Sequence, residues 1–354
     1  MSTNLLPPGK ISSAVFDKII FQGLGKPSPN TIVGPRHGVD VGIVRLPGNQ
    51  VMALTTDPVF VVPEYGWERA AWFAIHILAS DAATSGLAPT YITIDLNLPR
   101  SLSDDDLGTL WTAMHNTCAQ IGMTVVAGHT GRYDGCSYPM VGGATVMALG
   151  DAAAWVTPTM ARVGDVVILT KGPAIEATGL FAATFPARLA QKYGAERARA
   201  AEEMFYRMSV VEDARAAVAV GVRDEGVTAM HDATEGGVWG GLVEVARASR
   251  VGLWIDRDAI PIPEPVAMVC AEFGIDPFAS ISEGTLILTA RPHRSDAVLA
   301  ALRGRGIPAT AIGEVRPAEA GMVYRAEGKE FPLVHPVIDP FWSAFGKAIA
   351  ESGG

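Results

Sequence analysis

Seven consecutive residues, His231-Asp232-Ala233-Thr234-Glu235-Gly236-Gly237, bring one imidazole, two carboxylates, a hydroxyl and two glycines together. Charged groups held this close repel unless something neutralises them. The stretch before it, Val227-Thr228-Ala229-Met230, is predicted as a strand, and the stretch after it, 238–246, as an apolar helix. The charges therefore sit at a strand-to-helix turn, where glycines let a ligand approach the backbone and the helix start favours anions. Two carboxylates in that setting suit a divalent cation bridging to phosphate. The same turn also reads as a simple helix cap with Asp232 or Thr234 as N-cap, and both readings stand at this point.

Other groups fall where side chains can converge. Asp40 follows a Gly/Pro-rich loop and enters a strand, Asp57 ends the strand 51–56, Asp81 ends an apolar helix, and His129 follows the strand 123–127. Each has a plain structural alternative: Asp57 precedes Pro58 and could be a turn residue, Asp81 could be one paired buried acid, and His129 a loop histidine. Taken together, carboxylates drawn from several elements fit hard-oxygen coordination of Mg²⁺. Zinc fits poorly, since neither a His/Cys cluster nor a His-Glu-x-x-His helix is present. The chain has no P-loop, no Gly-x-Gly-x-x-Gly after a strand and no Gly-x-Ser-x-Gly elbow, which leaves nucleotide binding to a rarer route.

The elements that must position these groups alternate in type. A helix is predicted over 12–22 with Val15, Ile19 and Ile20 on one face, then a long loop over 25–38. Strands are predicted over 41–46, 51–56, 91–98, 123–127 and 140–149, with a helix over 68–84 and another capped by Ser103. A strand over 165–170 leads into helical segments over about 174–221, and βα units start near Val227, Val251 and Gly284, ending in strands over 310–315 and 322–324. At 354 residues the chain suggests two domains, divided as 1–155 and 156–354. It is 49% hydrophobic with a formal net charge of -9, which predicts large cores and argues against nucleic-acid or anionic-membrane partners. No run is long enough to span a bilayer, and Met1–Pro8 lacks the features of a signal peptide, so a cytoplasmic location is expected. Three scattered cysteines, Cys118, Cys136 and Cys270, give no disulfide framework: Cys118 is expected in the core and Cys136 in an exposed loop.

In order, the chain carries Gly38-Val39-Asp40, Thr55-Thr56-Asp57, Ser80-Asp81-Ala82-Ala83-Thr84-Ser85-Gly86, Gly128-His129-Thr130, Leu169-Thr170-Lys171-Gly172, the heptapeptide, and Ser282-Glu283-Gly284-Thr285-Leu286. With these motifs it resembles the superfamily of aminoimidazole-ribonucleotide synthetase, selenophosphate synthetase, thiamine-phosphate kinase and the hydrogenase-maturation protein HypE, and most of all its HypE-like members. The resemblance implies an α+β, PurM-like two-domain subunit. Its N-terminal domain would pair into a β-barrel across a homodimer, and its C-terminal α/β domain would have a ferredoxin-like core. It implies ATP in a cleft between the domains, with Asp40, Asp57, Asp81 and Asp232 holding Mg²⁺ against the phosphates. Gly38, Lys171, Thr234 and Glu235 would contact the nucleotide, the segment 27–38 would fold over it, and Asp57, Asp232 and His129 would be catalytic.

The chemistry implied is ATP-dependent phosphorylation of a carbonyl or amide oxygen on a small-molecule or carrier substrate. Departures narrow the choice. HypE proteins end in a cysteine that carries a carboxamide, whereas this chain ends Ser352-Gly353-Gly354, so the S-carbamoyl reaction is not expected. Selenophosphate synthetases carry a reactive residue near the N-terminus, and here the first cysteine is Cys118. Two alternatives are a nucleotide-binding, non-catalytic partner in a metalloenzyme-maturation complex and a thiamine-phosphate-kinase-like phosphotransferase.

Overall fold

The computed structural model describes residues 11–352, with only the backbone at residue 13; the readings made at Met1–Pro8 and Gly353-Gly354 lie outside the described residues. The first sheet is built from β1 (Thr31–Val33), β2 (Gly42–Leu46), β3 (Gln50–Phe60), β4 (Pro89–Pro99), β5 (Thr124–Tyr133) and β6 (Met140–Asp151), in the order β1-β2-β3-β6-β4-β5. Pairing is antiparallel except between β4 and β5. The outer strand β5 is hydrogen-bonded on one side and carries exposed apolar side chains such as Val126.

The second sheet collects β7 (Val166–Thr170), β8 (Val227–Asp232), β9 (Gly252–Asp256), β10 (Leu286–Ala290), β11 (Ala309–Arg316), β12 (Met322–Ala326) and β13 (Lys329–Pro332), in the order β13-β12-β9-β11-β7-β10-β8. Only β9 with β12 is parallel. The βα rhythm read from the sequence is therefore present, but it does not build the parallel sheet that such units often build. The fold is mixed α+β.

Between the sheets lies the Trp67–Ala83 helix, whose alanine-rich face, Ala70, Ala71, Ala74, Ala82 and Ala83, lets it approach closely. One apolar cluster runs from Ile92 and Val146 of the first sheet through this helix to Val227, Met230 and Leu288 of the second. Burying apolar area is worth about 25 cal/mol per Å², so this shared core fixes how the two sheets face each other. No helix of the described residues is long and apolar enough to cross a membrane.

Four predicted elements differ. Residues 12–22 form a short turn of helix, Ser13–Val15, followed by a wider turn, Phe16–Ile20, with Val15, Ile19 and Ile20 exposed rather than packed. The 25–38 loop contains β1, and β3 runs through Asp57 and Pro58 to Phe60. The strand predicted over 123–127 continues to Tyr133, so His129 lies inside a strand. Ser103 caps its helix as read, its Oγ accepting the Asp106 amide at 3.0 Å, and Cys118 is in the core.

Candidate functional site

β8 ends at Asp232, opposite Leu286 of β10, and the chain turns at once into the Gly237–Ser249 helix. Neither Asp232 nor Thr234 provides the N-cap. The cap residue is Gly236 (φ 83), and its amide donates to Asp339 Oδ2 at 2.8 Å. Gly237 also has positive φ, and a Cβ there would lie 2.5 Å from the Ser280 carbonyl oxygen, so the turn requires glycine. Thr234 contributes its backbone carbonyl, which accepts the Gly237 and Ser282 amides. The heptapeptide is thus shaped by glycine and by a distant aspartate, which leaves its acids for other work.

His231 projects between two carboxylates: Nδ1 is 2.6 Å from Asp40 Oδ2 and Nε2 is 2.9 Å from Glu244 Oε2. Burial disfavours its charge, but Asp40 and Glu244 outweigh it and raise the pKa well above the usual histidine range. The imidazolium therefore offsets one of the two negative charges on Asp40 and Glu244. Gly38, which leads into Asp40, packs on Glu244; its φ is +73 and a Cβ would approach Glu244 Cβ to 3.0 Å. One ligand atom each from Asp40, His231 and Asp232 lie within 4.8 Å of one another. With both ring nitrogens on carboxylates, His231 is better suited to balance charge here than to ligate.

Asp81 reaches the same region from the Trp67–Ala83 helix, accepting a 3.0 Å hydrogen bond from Thr55 Oγ1 of β3. Burial, then Asp232, Asp57 and Asp40, holds its carboxyl well above the ordinary range. Glu283 is raised as well, by burial and then by Asp232 and Glu176, and it lies against Ser80 and Asp232. Four aspartates from four segments thus converge, and Arg36 is the one lysine or arginine among the described residues that line the same cavity. The aspartates are a donor set of hard oxygens in a confined space, and they fit a divalent cation.

This clustering sets a pH dependence. In the metal-free protein the folded chain keeps protons on Asp81 and Glu283 above their model values of 3.8 and 4.5. Their contribution to stability is present below about pH 4 and is lost as pH rises through the raised values. A bound cation holds the ionised forms and removes that loss. Mg²⁺ should therefore raise the melting temperature more near pH 8 than near pH 5, by thermal unfolding at matched ionic strength. A shift equal at both pH values, or larger near pH 5, contradicts the reading.

Asp40, Asp57, Asp81, Gly38, Thr234 and Glu235 all line one cavity of about 930 Å³; Asp232 is fully buried, with a carboxylate oxygen within 4.8 Å of one of Asp40. Two expected site residues are not brought there. The Lys171 ammonium is buried on Asp213 (2.9 Å) and the Ser209 carbonyl (2.6 Å). Lys171→Ala is expected to destabilise the fold by about 3–5 kcal/mol, because Asp213 is left buried without its cation. The same variant should leave nucleotide affinity unchanged; thermal unfolding and calorimetry together separate this from a phosphate contact. His129 stands on the exposed β5, where Nε2 meets the Tyr133 hydroxyl at 2.7 Å.

Three groups were not singled out from the sequence. Glu244 stands as a lone acid in the apolar run Leu242-Val243-Glu244-Val245-Ala246, a visible signal. Glu283 belongs to the Ser-Glu-Gly-Thr motif and could have been weighed with the aspartates. Asp339 lies between Ile338 and Pro340 with no local pattern, and only the tertiary contact to Gly236 identifies it.

Comparison with known proteins gives a consistent picture. The model for AIR synthase related protein, N-terminal domain, matches residues 38–161, and that for the C-terminal domain matches residues 162–324. A carbamoyl dehydratase HypE of Rhizobium leguminosarum bv. viciae is 27% identical over 293 residues, covering 79% of this chain and 77% of that protein. Among solved structures, a HypE–HypF complex superposes with a TM-score of 0.70 at 20% identity, covering 91% of this chain and all of that chain. A hydrogenase maturation protein HypE in complex with ATP superposes with a TM-score of 0.65 at 21% identity, covering 94% of this chain and 97% of that one.

Proposed function

The chain belongs to the AIR synthase related protein family, and we propose that it is an ATP- and Mg²⁺-dependent enzyme that phosphorylates a carbonyl or amide oxygen of a small-molecule or carrier substrate. The observation that carries this reading is the convergence of Asp40, Asp57 and Asp81 on one cavity, with a carboxylate oxygen of the buried Asp232 within 4.8 Å of one of Asp40. Mg²⁺ held there would supply the counter-charge that a transferring phosphoryl group needs. The residues of this chain do the remaining work. Asp40, fixed by His231, and Asp232, fixed at the end of β8, orient the phosphates; Gly38 and the 27–38 segment cover them.

In the reaction, the acceptor oxygen bonds to the γ-phosphorus as the bond to the β,γ-bridging oxygen breaks and ADP leaves. An amide acceptor then loses one N–H proton to solvent, leaving an imidate phosphate whose phosphate is a good leaving group. Alignment of acceptor and γ-phosphate is the other requirement, and the shared core between the sheets keeps the walls of the cavity in register.

The antiparallel order β11-β7-β10-β8 supports a ferredoxin-like core for the second half of the chain. The open edge of β5 supports a homodimer formed across that strand, since exposed strand edges are otherwise prone to unregulated pairing. His129 would then act from a dimer interface rather than within its own cleft. The experiment for the activity is ADP formation across carbonyl and amide acceptors. Acceptor-dependent turnover is expected; tight nucleotide binding with no turnover on any acceptor favours the non-catalytic alternative.

A further inference from the structure

The acid cluster is only part of the cavity's lining, and another part is unusual in origin. Ile11 and Phe16 line it from the start of the described chain, and Phe341, Trp342, Phe345 and Ile349 line it from the Pro340–Ser352 helix. All six lie outside residues 38–324, the span that the two family models match. A nucleotide site common to a family is built from shared positions. A chamber walled by this chain's own end segments suits the part of the ligand set that differs between members, the acceptor.

The chamber's chemistry is one-sided. Phe60, Phe73 and Leu180 line it with apolar groups, and Glu64, Glu176 and Glu283 are its acidic lining. Among the described lining residues the basic side chains are Arg36, His37 and His231. These belong to the acid-cluster end: Arg36 and His37 directly precede Gly38, and His231 is held between Asp40 and Glu244. Tyr65 shows the same field. Its phenol is pushed up to about 12 by burial and then by Glu176 and Glu64, against a hydrogen bond with Thr184. A phosphate or carboxylate in this chamber would give up its hydration and face Glu64 and Glu176, with no basic side chain of the described residues beyond those at the acid-cluster end, which is costly.

Resting on the phosphorylation reading above, we propose that the acceptor is a neutral or cationic molecule with an aromatic or bulky apolar body, seated in this chamber against the Pro340–Ser352 helix. Its reacting oxygen points to the acid cluster, and phosphorylated or carboxylated acceptors are excluded. Apolar and aromatic walls with few polar groups are the usual construction of such a site.

The test uses the full chain with Mg²⁺ and β,γ-methylene ATP, and a matched one-ring series: benzamide, benzamidinium, benzoate and phenyl phosphate, titrated by ligand-observed NMR. Benzamide or benzamidinium should bind at least about tenfold more tightly than either anion, a difference of about 1.4 kcal/mol. Trp342→Ala should weaken that binding several-fold and leave the affinity for the ATP analogue unchanged. Equal or tighter binding of the anions overturns the proposal. So does competition between the analogue and the ring probes, which would make the chamber the adenine site, and so does absence of any probe binding while the analogue binds. If the analogue itself fails to bind, the nucleotide reading falls, and the probe series on the unliganded chain still decides the chamber's charge preference by the same criterion.

Discussion

Asp232→Asn and Asp57→Asn are each expected to lower ATP turnover by on the order of 10²-fold or more, the scale seen when one fixed electrostatic contact to a transition state is lost. Asp232 is fully buried at the end of β8 and Asp57 lines the cavity from β3, so they reach one charge from two sheets. Neither substitution removes apolar packing. Each relieves repulsion on Asp81, whose carboxyl is raised in part by both. The metal-free variants should therefore melt at or above the wild-type temperature while their Mg²⁺-dependent stabilisation shrinks. Wild-type rates in both variants would sink the assignment. A loss of activity that tracks a loss of fold would also count against it, because the argument places these acids in the site and not in the structural core.

The second large effect is on stability. His231→Leu should cost about 3–5 kcal/mol, the usual penalty for removing one member of a buried charged pair. The imidazolium is 2% exposed and bonds Asp40 and Glu244 at once, so its loss leaves two half-buried carboxylates facing each other. The double variant His231→Leu with Glu244→Gln should recover part of that loss, because one of the stranded charges is gone. Denaturant unfolding of the wild type, both singles and the double measures the coupling. Strict additivity would show that His231 does not neutralise this pair.

Much of this site was legible in the residues. The acids Asp40, Asp57 and Asp81 stand at strand ends, loops and a helix end in the sequence, and the folded chain brings them to one cavity with the heptapeptide. The roles within the heptapeptide were not legible. Asp232 and Thr234 have the side chains of an N-cap, but the helix is capped through Asp339, more than a hundred residues away. Lys171 follows a strand, a position that suits a phosphate-binding lysine, yet Asp213 captures it. Both outcomes depend on tertiary partners that periodicity does not encode. The same holds for sheet direction: βα spacing is the same for parallel and antiparallel arrangements, and the mostly antiparallel second sheet follows from how β7, β8, β10 and β11 interleave. The exposed face of 12–22 shows the limit of an apolar stripe as a signal, since Ile19 and Ile20 find nothing to pack on within the described residues.

If Asp40, Asp57, Asp81 and Asp232 form a Mg²⁺-nucleotide site, isothermal titration of β,γ-methylene ATP into the full chain, with and without Mg²⁺, reads it out. Saturable binding that requires Mg²⁺ and disappears in the Asp57→Asn, Asp232→Asn double variant is the predicted result. Binding that is absent, or that persists unchanged without Mg²⁺ or in the folded double variant, would contradict it.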